Sequence, residues 1–355
     1  MIPDSQSAID SRGTTLSNPL ENPAWDELIE DFPQTTFFHS SAWLRVLSET
    51  YGYRPISLSI GDPDSPEALV AMIEVDSWLT GKRGVCLPFT DACPPLYRRG
   101  RGLEAATREL LALARARKWK RVEIRAPDGF DQRGPASTEH YTHTLDLGPG
   151  SESLFHGFSS SNRRALRKAQ ASDLEAIRAN DMASLRSFYG LLCQTRKRHG
   201  TPPQPWTFFQ SIHRHILSQD RGALFLAYRD RQPVAGALYL RDQGQAIYKF
   251  GASDPGFQSS RPNNLVMWSA IQWLEQQDCQ RLDFGRTSLE NEGLRRFKLS
   301  WGTTERILPY YSLDPATDTL LSQPDRSSGW QTRIFRHLPI TLSRLAGQLL
   351  YKHVG

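Results

Sequence analysis

Residues 223–240 read ALFLAYRDRQPVAGALYL. Two apolar runs, Ala223–Arg229 and Pro233–Leu240, flank the short polar turn Asp230-Arg231-Gln232. That pattern reads as a β-hairpin, so the sheet is antiparallel there. Further out, the run Ala246–Gly251 adds a third strand, and a Gly/Pro/Ser-rich loop follows over Ala252–Pro262. The spacing then predicts a helix over Asn263–Gln277: Met267, Ala270, Ile271 and Leu274 share one face, and Asn263 stands as N-cap after Pro262. A strand over Arg281–Gly285 closes the series. Two helices, Met182–Arg198 and Trp206–Ser218, precede the hairpin.

The same order of elements occurs once before. A helix over Ala42–Thr50 leads to strands at Pro55–Ile60, Ala68–Val75 and Gly84–Phe89. A proline-rich loop, Thr90–Leu96, a helix, Leu103–Trp119, and a strand, Arg121–Arg125, complete it. RVEIR at 121–125 and RLDFG at 281–285 occupy equivalent places. An internal repeat at this scale implies a doubled unit. The expected fold class is α/β (α+β), with two tandem domains, each a mixed, mostly antiparallel sheet flanked by helices. The expected bounds are a flexible leader at 1–22, domains at 23–150 and 151–316, and a basic amphipathic tail at 317–355. A linker rich in Gly, Pro, Ser and polar residues is expected over Asp128–Gly150.

The 355 residues suffice for two such cores, and 39% hydrophobic with 23% charged residues is a globular balance. No run approaches the roughly 20 apolar residues of a membrane helix, and the polar N-terminus has no apolar core of a signal peptide. Cys86, Cys93, Cys193 and Cys279 form no Cys-x-x-Cys pair. A reducing cytoplasm is the expected location. The net charge is +5, and Arg326, Arg333, Arg336, Arg344 and Lys352 account for all of it, because no acid follows Asp325. A neutral body with a basic tail does not resemble a general nucleic-acid binder. Leu338, Leu342, Leu345 and Leu349 form a helical stripe in that tail. The stripe either docks on the body or lies on an anionic membrane surface, which would be the inner face of the cytoplasmic membrane.

Candidate chemistry concentrates in the second half. Lys298 stands between bulky apolar neighbours in Phe297-Lys298-Leu299-Ser300-Trp301-Gly302. A desolvated ammonium holds a phosphate or carboxylate, or stabilises an oxyanion during acyl transfer; the plain alternative is a lysine whose stem covers apolar surface. Tyr248 lies on a strand just before the loop and offers a proton or a hydrogen bond, or else fills the core. Asp283 is the one polar residue of a buried-looking strand and needs a partner there, an arginine or a substrate amine. Arg198 ends a basic helix terminus, and Arg163 and Arg167 stand in the run Asn162–Lys168; these are helix-terminal and surface charges or clamps for an anion. No metal site is expected, since no His/Cys/Glu group has ligand spacing.

These stretches together carry a resemblance. Phe37–Trp43, Leu87–Asp91, Asn162–Ala169, Thr195–Gly200, Tyr248–Ser253 and Phe297–Gly302 resemble the Fem family of aminoacyl and acyl transferases. More closely they resemble Fem-like proteins with a BioF-type acetyltransferase domain, some of them associated with exosortase and exopolysaccharide systems. The resemblance covers about Phe37 to Asp314. It implies two GNAT-like domains and acyl transfer to an amine. It implies Lys298 as the site lysine, Arg198 as the holder of an acidic acceptor group, and Tyr248 on a strand near the site. Trp301 accompanies Lys298 in the substrate-binding set.

The sequence also departs from the pattern. The loop Ala252–Pro262 lacks the Arg/Gln-x-x-Gly-x-Gly cradle for the coenzyme A pyrophosphate, and no coiled-coil arm is inserted. The donor is therefore open between an acyl-CoA and an aminoacyl-tRNA, with no metal expected and no specific nucleic acid unless that tRNA is used. The implied acceptor is an anionic small molecule or a glycan- or lipid-linked amine of a cell-envelope or exopolysaccharide precursor. The competing reading is a non-catalytic scaffold of polysaccharide assembly that docks at the membrane.

Overall fold

The computed structural model describes residues 8–10, 13–98, 100–126, 134–322 and 330–354. The chain divides into two compact units: residues 1–140, 307–325 and 350–355 form the first, and 141–306 with 326–349 form the second. The boundary thus falls at 140/141 rather than 150/151, and neither unit is one continuous stretch of chain.

In the first unit an antiparallel series runs Ala8–Asp10, Thr14–Ser17, Pro55–Asp62, Ser65–Val75 and Arg83–Val85. Thr14 pairs with Ile60 and Ser17 with Ser57, so residues 14–17 are sheet and not a flexible leader; residues 1–7, 11 and 12 lie outside the described set. The helix Gly100–Ala116 then crosses over, and its return strand Val122–Arg125 pairs parallel with Arg83–Val85. Ala106, Leu110, Leu111 and Ala114 on that helix pack on Leu58, Val70, Met72, Val122 and Ile124. The expected strand Gly84–Phe89 is cut short at Val85. Leu87 and Phe89 both have positive φ, which turns the chain out of the sheet. In the same unit the last residues of the chain are held by Tyr53 and Thr80, whose hydroxyls donate to the carbonyls of Lys352 and His353, each at 3.0 Å.

The second unit repeats the plan. Its sheet runs Glu175–Arg178, Gly222–Arg229, Gln232–Asp242, Gln245–Ser253, Arg281–Ser288 and Thr138–Asp146. The hairpin register confirms the sequence reading, with Ala223 opposite Tyr239 and Leu226 opposite Gly236. The helix Pro262–Gln276 makes the crossover, so Gln245–Ser253 and Arg281–Ser288 are parallel. Val266, Met267, Ala270, Ile271 and Leu274 of this helix meet Phe225, Ala237, Tyr239 and Phe284 in the core. Asp181 caps the helix Met182–His199 by accepting from the N–H groups of Ala183 and Ser184, and Gly200 ends it in the left-handed conformation.

Two corrections concern connections. The expected linker Asp128–Gly150 holds a nine-residue strand, Thr138–Asp146, while 127–133 lie outside the described residues. This strand follows the first unit's Val122–Arg125 in the chain, yet it pairs beside Arg281–Ser288 of the second unit. Reciprocally, residues 307–314 follow the second unit's strand, yet Tyr310 to Leu313 pair with Val122–Arg125 of the first. Each sheet is therefore finished by a strand that continues from the other half.

The tail forms two helices, Trp330–His337 and Ile340–Val354, separated at Leu338-Pro339. Leu338 therefore stands outside the stripe. In the second unit, Ser343 and Gly347 provide the docking face of the longer helix. A methyl group at Gly347 would come within 2.0 Å of the Pro203 carbonyl oxygen, so only glycine allows this approach.

Candidate active site in the second unit

Parallel strands Gln245–Ser253 and Arg281–Ser288 pair at Gln245–Arg281, Ala246–Leu282 and Ile247–Asp283, and the ladder stops there. Both strands are distorted just past the last pair. On the first, Tyr239 faces Tyr248 and Leu238 faces Phe250, which leaves Lys249 as the extra residue of a β-bulge. On the second, Gly285 has φ of 69°, and its N–H donates to Asp283 Oδ1 at 2.7 Å. That turn needs glycine, because a side chain at such φ meets its own backbone. The two strands part, and backbone groups on their facing edges are released from the ladder.

Tyr248 stands at this opening. Its ring lies 5.6 Å from Tyr239 and 6.3 Å from Phe284, and its hydroxyl sits directly over Gly251. The hydroxyl has no hydrogen-bond partner among the described residues. Burial alone pushes its pKa up to about 12, so near neutrality it is a phenol with a proton to give.

Lys298 lies on the helix Glu292–Leu299, which Asn291 caps by accepting from the Leu294 N–H. It is only 2% exposed. Its ammonium donates to the carbonyls of Gly285 at 2.6 Å and Arg286 at 3.1 Å, so it holds the kinked strand. Asp283 works on the same kink, accepting from Gly285 and, at 3.4 Å, from Thr142. Trp301 has no exposed surface and packs edge-on against Phe158 at 5.1 Å and Phe297 at 6.2 Å. It braces the Lys298 helix from within the core and touches no open surface.

The arginines separate into two groups. Arg198, at the end of its helix, points both terminal nitrogens at the Ser253 carbonyl, 3.4 and 3.5 Å away, at the far end of the strand that carries Tyr248. Thr195 and Asn263 also converge on Ser253. Arg163 instead donates to the carbonyls of His156 and Phe158 at 2.7 and 2.6 Å, and Arg167 stacks on Phe155 at 5.7 Å. Those two serve the helix Ser151–Gly157 and its exit. The structure thus brings Tyr248, Asp283 and Lys298 to one opening and Arg198 to the end of one of its walls; Arg163 and Arg167 are occupied elsewhere.

Sequence reasoning passed over His143. Its Nε2 bonds Glu305 at 2.9 Å, and Glu305 is held by two contacts of 2.8 Å from Arg295. Burial and the nearby Lys298 charge lower the His143 pKa, so the ring is neutral near pH 7, with Nδ1 buried and unpartnered. No local pattern marks this group, because its members come from a presumed linker, a helix and the following strand.

Residues 158–299 match the acetyltransferase (GNAT) domain family. The second unit carries a GNAT domain. The matched span includes Tyr248, Asp283 and Lys298 together with the parting strands. No curated protein matches the chain by sequence. Among solved structures, FemX is similar at 14% identity and a TM-score of 0.65, covering 82% of this chain and 96% of its own. The C-terminal domain of a putative lysylphosphatidylglycerol synthetase from Agrobacterium fabrum is similar at 12% identity and 0.54, covering 80% and 90%. A tandem GNAT protein from the clavulanic acid biosynthesis pathway is similar at 9% identity and 0.53, covering 85% and 98%. At these identities the likeness is one of fold: the GNAT domain sits in a Fem-like tandem GNAT architecture, and its doubled plan is the repeat visible in the sequence. Among the described residues no group of His, Cys, Asp and Glu is arranged for a metal ion, and no helix is long and apolar enough to cross a membrane.

Proposed function

We propose that this protein is an N-acyltransferase that moves an acyl or aminoacyl group to an amine of a cell-envelope or exopolysaccharide precursor. The observation that carries the reading is the pair of parallel strands that part after Ile247 and Asp283, with the unpaired Tyr248 hydroxyl at the opening. An extended acyl donor can pair with strand edges released in this way. The GNAT match and the likeness to FemX and to lysylphosphatidylglycerol synthetase support acyl or aminoacyl transfer at the envelope.

In this reading the acceptor amine attacks the acyl carbonyl carbon, and the bond to the donor's sulfur or ribose oxygen breaks. Tyr248 gives its proton to the departing atom and takes one back from solvent, and the attacking amine loses one to solvent. The Lys298 charge, fixed beside the kink, stabilises the negative charge that develops on the carbonyl oxygen. Asp283 sets the kink, and Arg198 holds the acidic group of the acceptor. The donor is an acyl-CoA or an aminoacyl-tRNA. Its identity is tested by offering the purified protein labelled acyl-CoAs and aminoacyl-tRNAs with amine acceptors and following label into product.

Lys298→Met keeps side-chain volume and removes the charge. Turnover is expected to fall about 100-fold or more, as for loss of one oxyanion-stabilising donor, with the fold retained by circular dichroism. One observation favours the scaffold reading: the Lys298 ammonium is already bonded to two backbone carbonyls. If Lys298→Ala fully complements a deletion, the scaffold reading replaces the enzyme.

A further inference from the structure

Large apolar side chains that stand exposed are few among the described residues, and the tail holds four of them: Ile334 at 48%, Leu342 at 51%, Leu345 at 52% and Leu349 at 56%. Burying apolar surface is the usual fate of a leucine stripe on a helix. Here the helix Ile340–Val354 docks through Ser343 and Gly347 instead. At 100° per residue Leu342 and Leu349 point away from the docking surface, and Leu345 stands at the rim of a cleft lined by Tyr189, Pro205 and Trp206. The charges around the leucines have one sign. Arg336 and Lys352 are exposed, Arg344 lies over the Tyr189 ring at 5.3 Å, and the sequence from Arg326 onward contains no acid. A one-sided leucine row among cations matches the water–lipid boundary, where leucines enter the acyl region.

We propose that the exposed face of the helix Ile340–Val354, with Ile334 before it, lies on an anionic phospholipid bilayer. The partner is identified by sign as well as by apolarity. A second copy pairing through the same face would bring two sets of Arg336 and Lys352 together, and like charges brought together oppose association. A bilayer containing phosphatidylglycerol supplies both the apolar interior and the negative surface.

Vesicle flotation of the full chain tests this. The vesicles are phosphatidylcholine alone or an equal mixture with phosphatidylglycerol. The expected result is binding to the anionic vesicles, at least about tenfold weaker binding to the neutral ones, and release by 0.5 M salt as surface attraction is screened. Leu342→Gln with Leu349→Gln is expected to reduce anionic-vesicle binding about tenfold or more while shifting the thermal midpoint little, because both side chains are more than half exposed. Equal binding by the variant, or equal binding to both vesicle types, overturns the proposal. So does a concentration-dependent dimer in sedimentation velocity that the double variant abolishes, which would assign the face to a second copy.

Discussion

A single methyl group at Gly251 tests the role of Tyr248 more sharply than removal of the tyrosine. An ideal Cβ there falls 1.8 Å from the Tyr248 hydroxyl oxygen and 2.8 Å from the ring carbon that bears it. Ordinary contact between such atoms needs the hydroxyl to retreat by about 1.5 Å or more. The ring is confined by Tyr239 and Phe284, so the retreat strains the core, at a cost of about 1–3 kcal/mol. A displacement of about 1 Å in a reacting group lowers turnover roughly 100-fold. Gly251→Ala is therefore expected to lose both stability and activity. Tyr248→Phe removes the atom in closest conflict, so in that background the same methyl should destabilise less, although activity stays low. Urea denaturation and steady-state transfer assays on the two single variants and the double variant measure both effects. If Gly251→Ala keeps full turnover, the hydroxyl position does not matter to the reaction and the assignment of Tyr248 is wrong.

Two further predictions concern stability. His39 is fully buried, accepts at Nδ1 from the Thr36 N–H and bonds the Pro94 carbonyl through Nε2, an arrangement only the neutral ring can make. Burial lowers its pKa from 6.5 to about 4. A depressed histidine stabilises the fold fully above pH 6.5 and loses that contribution as pH falls towards 4, about 3 kcal/mol in all. Urea midpoints of wild type and His39→Gln, compared at pH 7 and pH 4, should converge at the lower pH; parallel lines would refute it. Asp181→Ala removes an N-cap that satisfies two N–H groups and should destabilise the chain by about 1 kcal/mol. Asp181→Asn should recover most of the loss in the same urea measurement.

The hairpin at 223–240 and the crossover helix at 263–277 were legible because both periodicities are strong and their turn residues are explicit. Lys298 was legible as a buried cation from its apolar neighbours. Its partners were not, because they are backbone carbonyls at Gly285 and Arg286, and carbonyls have no letter in a sequence. Tyr248 could be placed on a strand, but the bulge at Lys249 that frees the site is a property of pairing. The strand Thr138–Asp146 read as linker because polar and histidine positions interrupt its alternation, and its partner lies far along the chain. His143 was lost with it. The tail leucines were seen as a stripe; the small pair Ser343 and Gly347, which decides the facing of the helix, carries no hydrophobic signal.

The exchange of finishing strands has a consequence for synthesis. The first sheet cannot be completed when its own half has left the ribosome, since Tyr310–Leu313, which pair with Val122–Arg125, are made only after nearly all of the second half. Until then Val122 and Ile124, both fully buried in the finished fold, lie at an open edge exposed to mispairing. Pairings so distant in sequence also form slowly. A message broken before residue 307 would yield no finished copy of the first unit, so truncated chains should be conspicuous to chaperones and proteases, whereas full-length release allows both sheets to be completed.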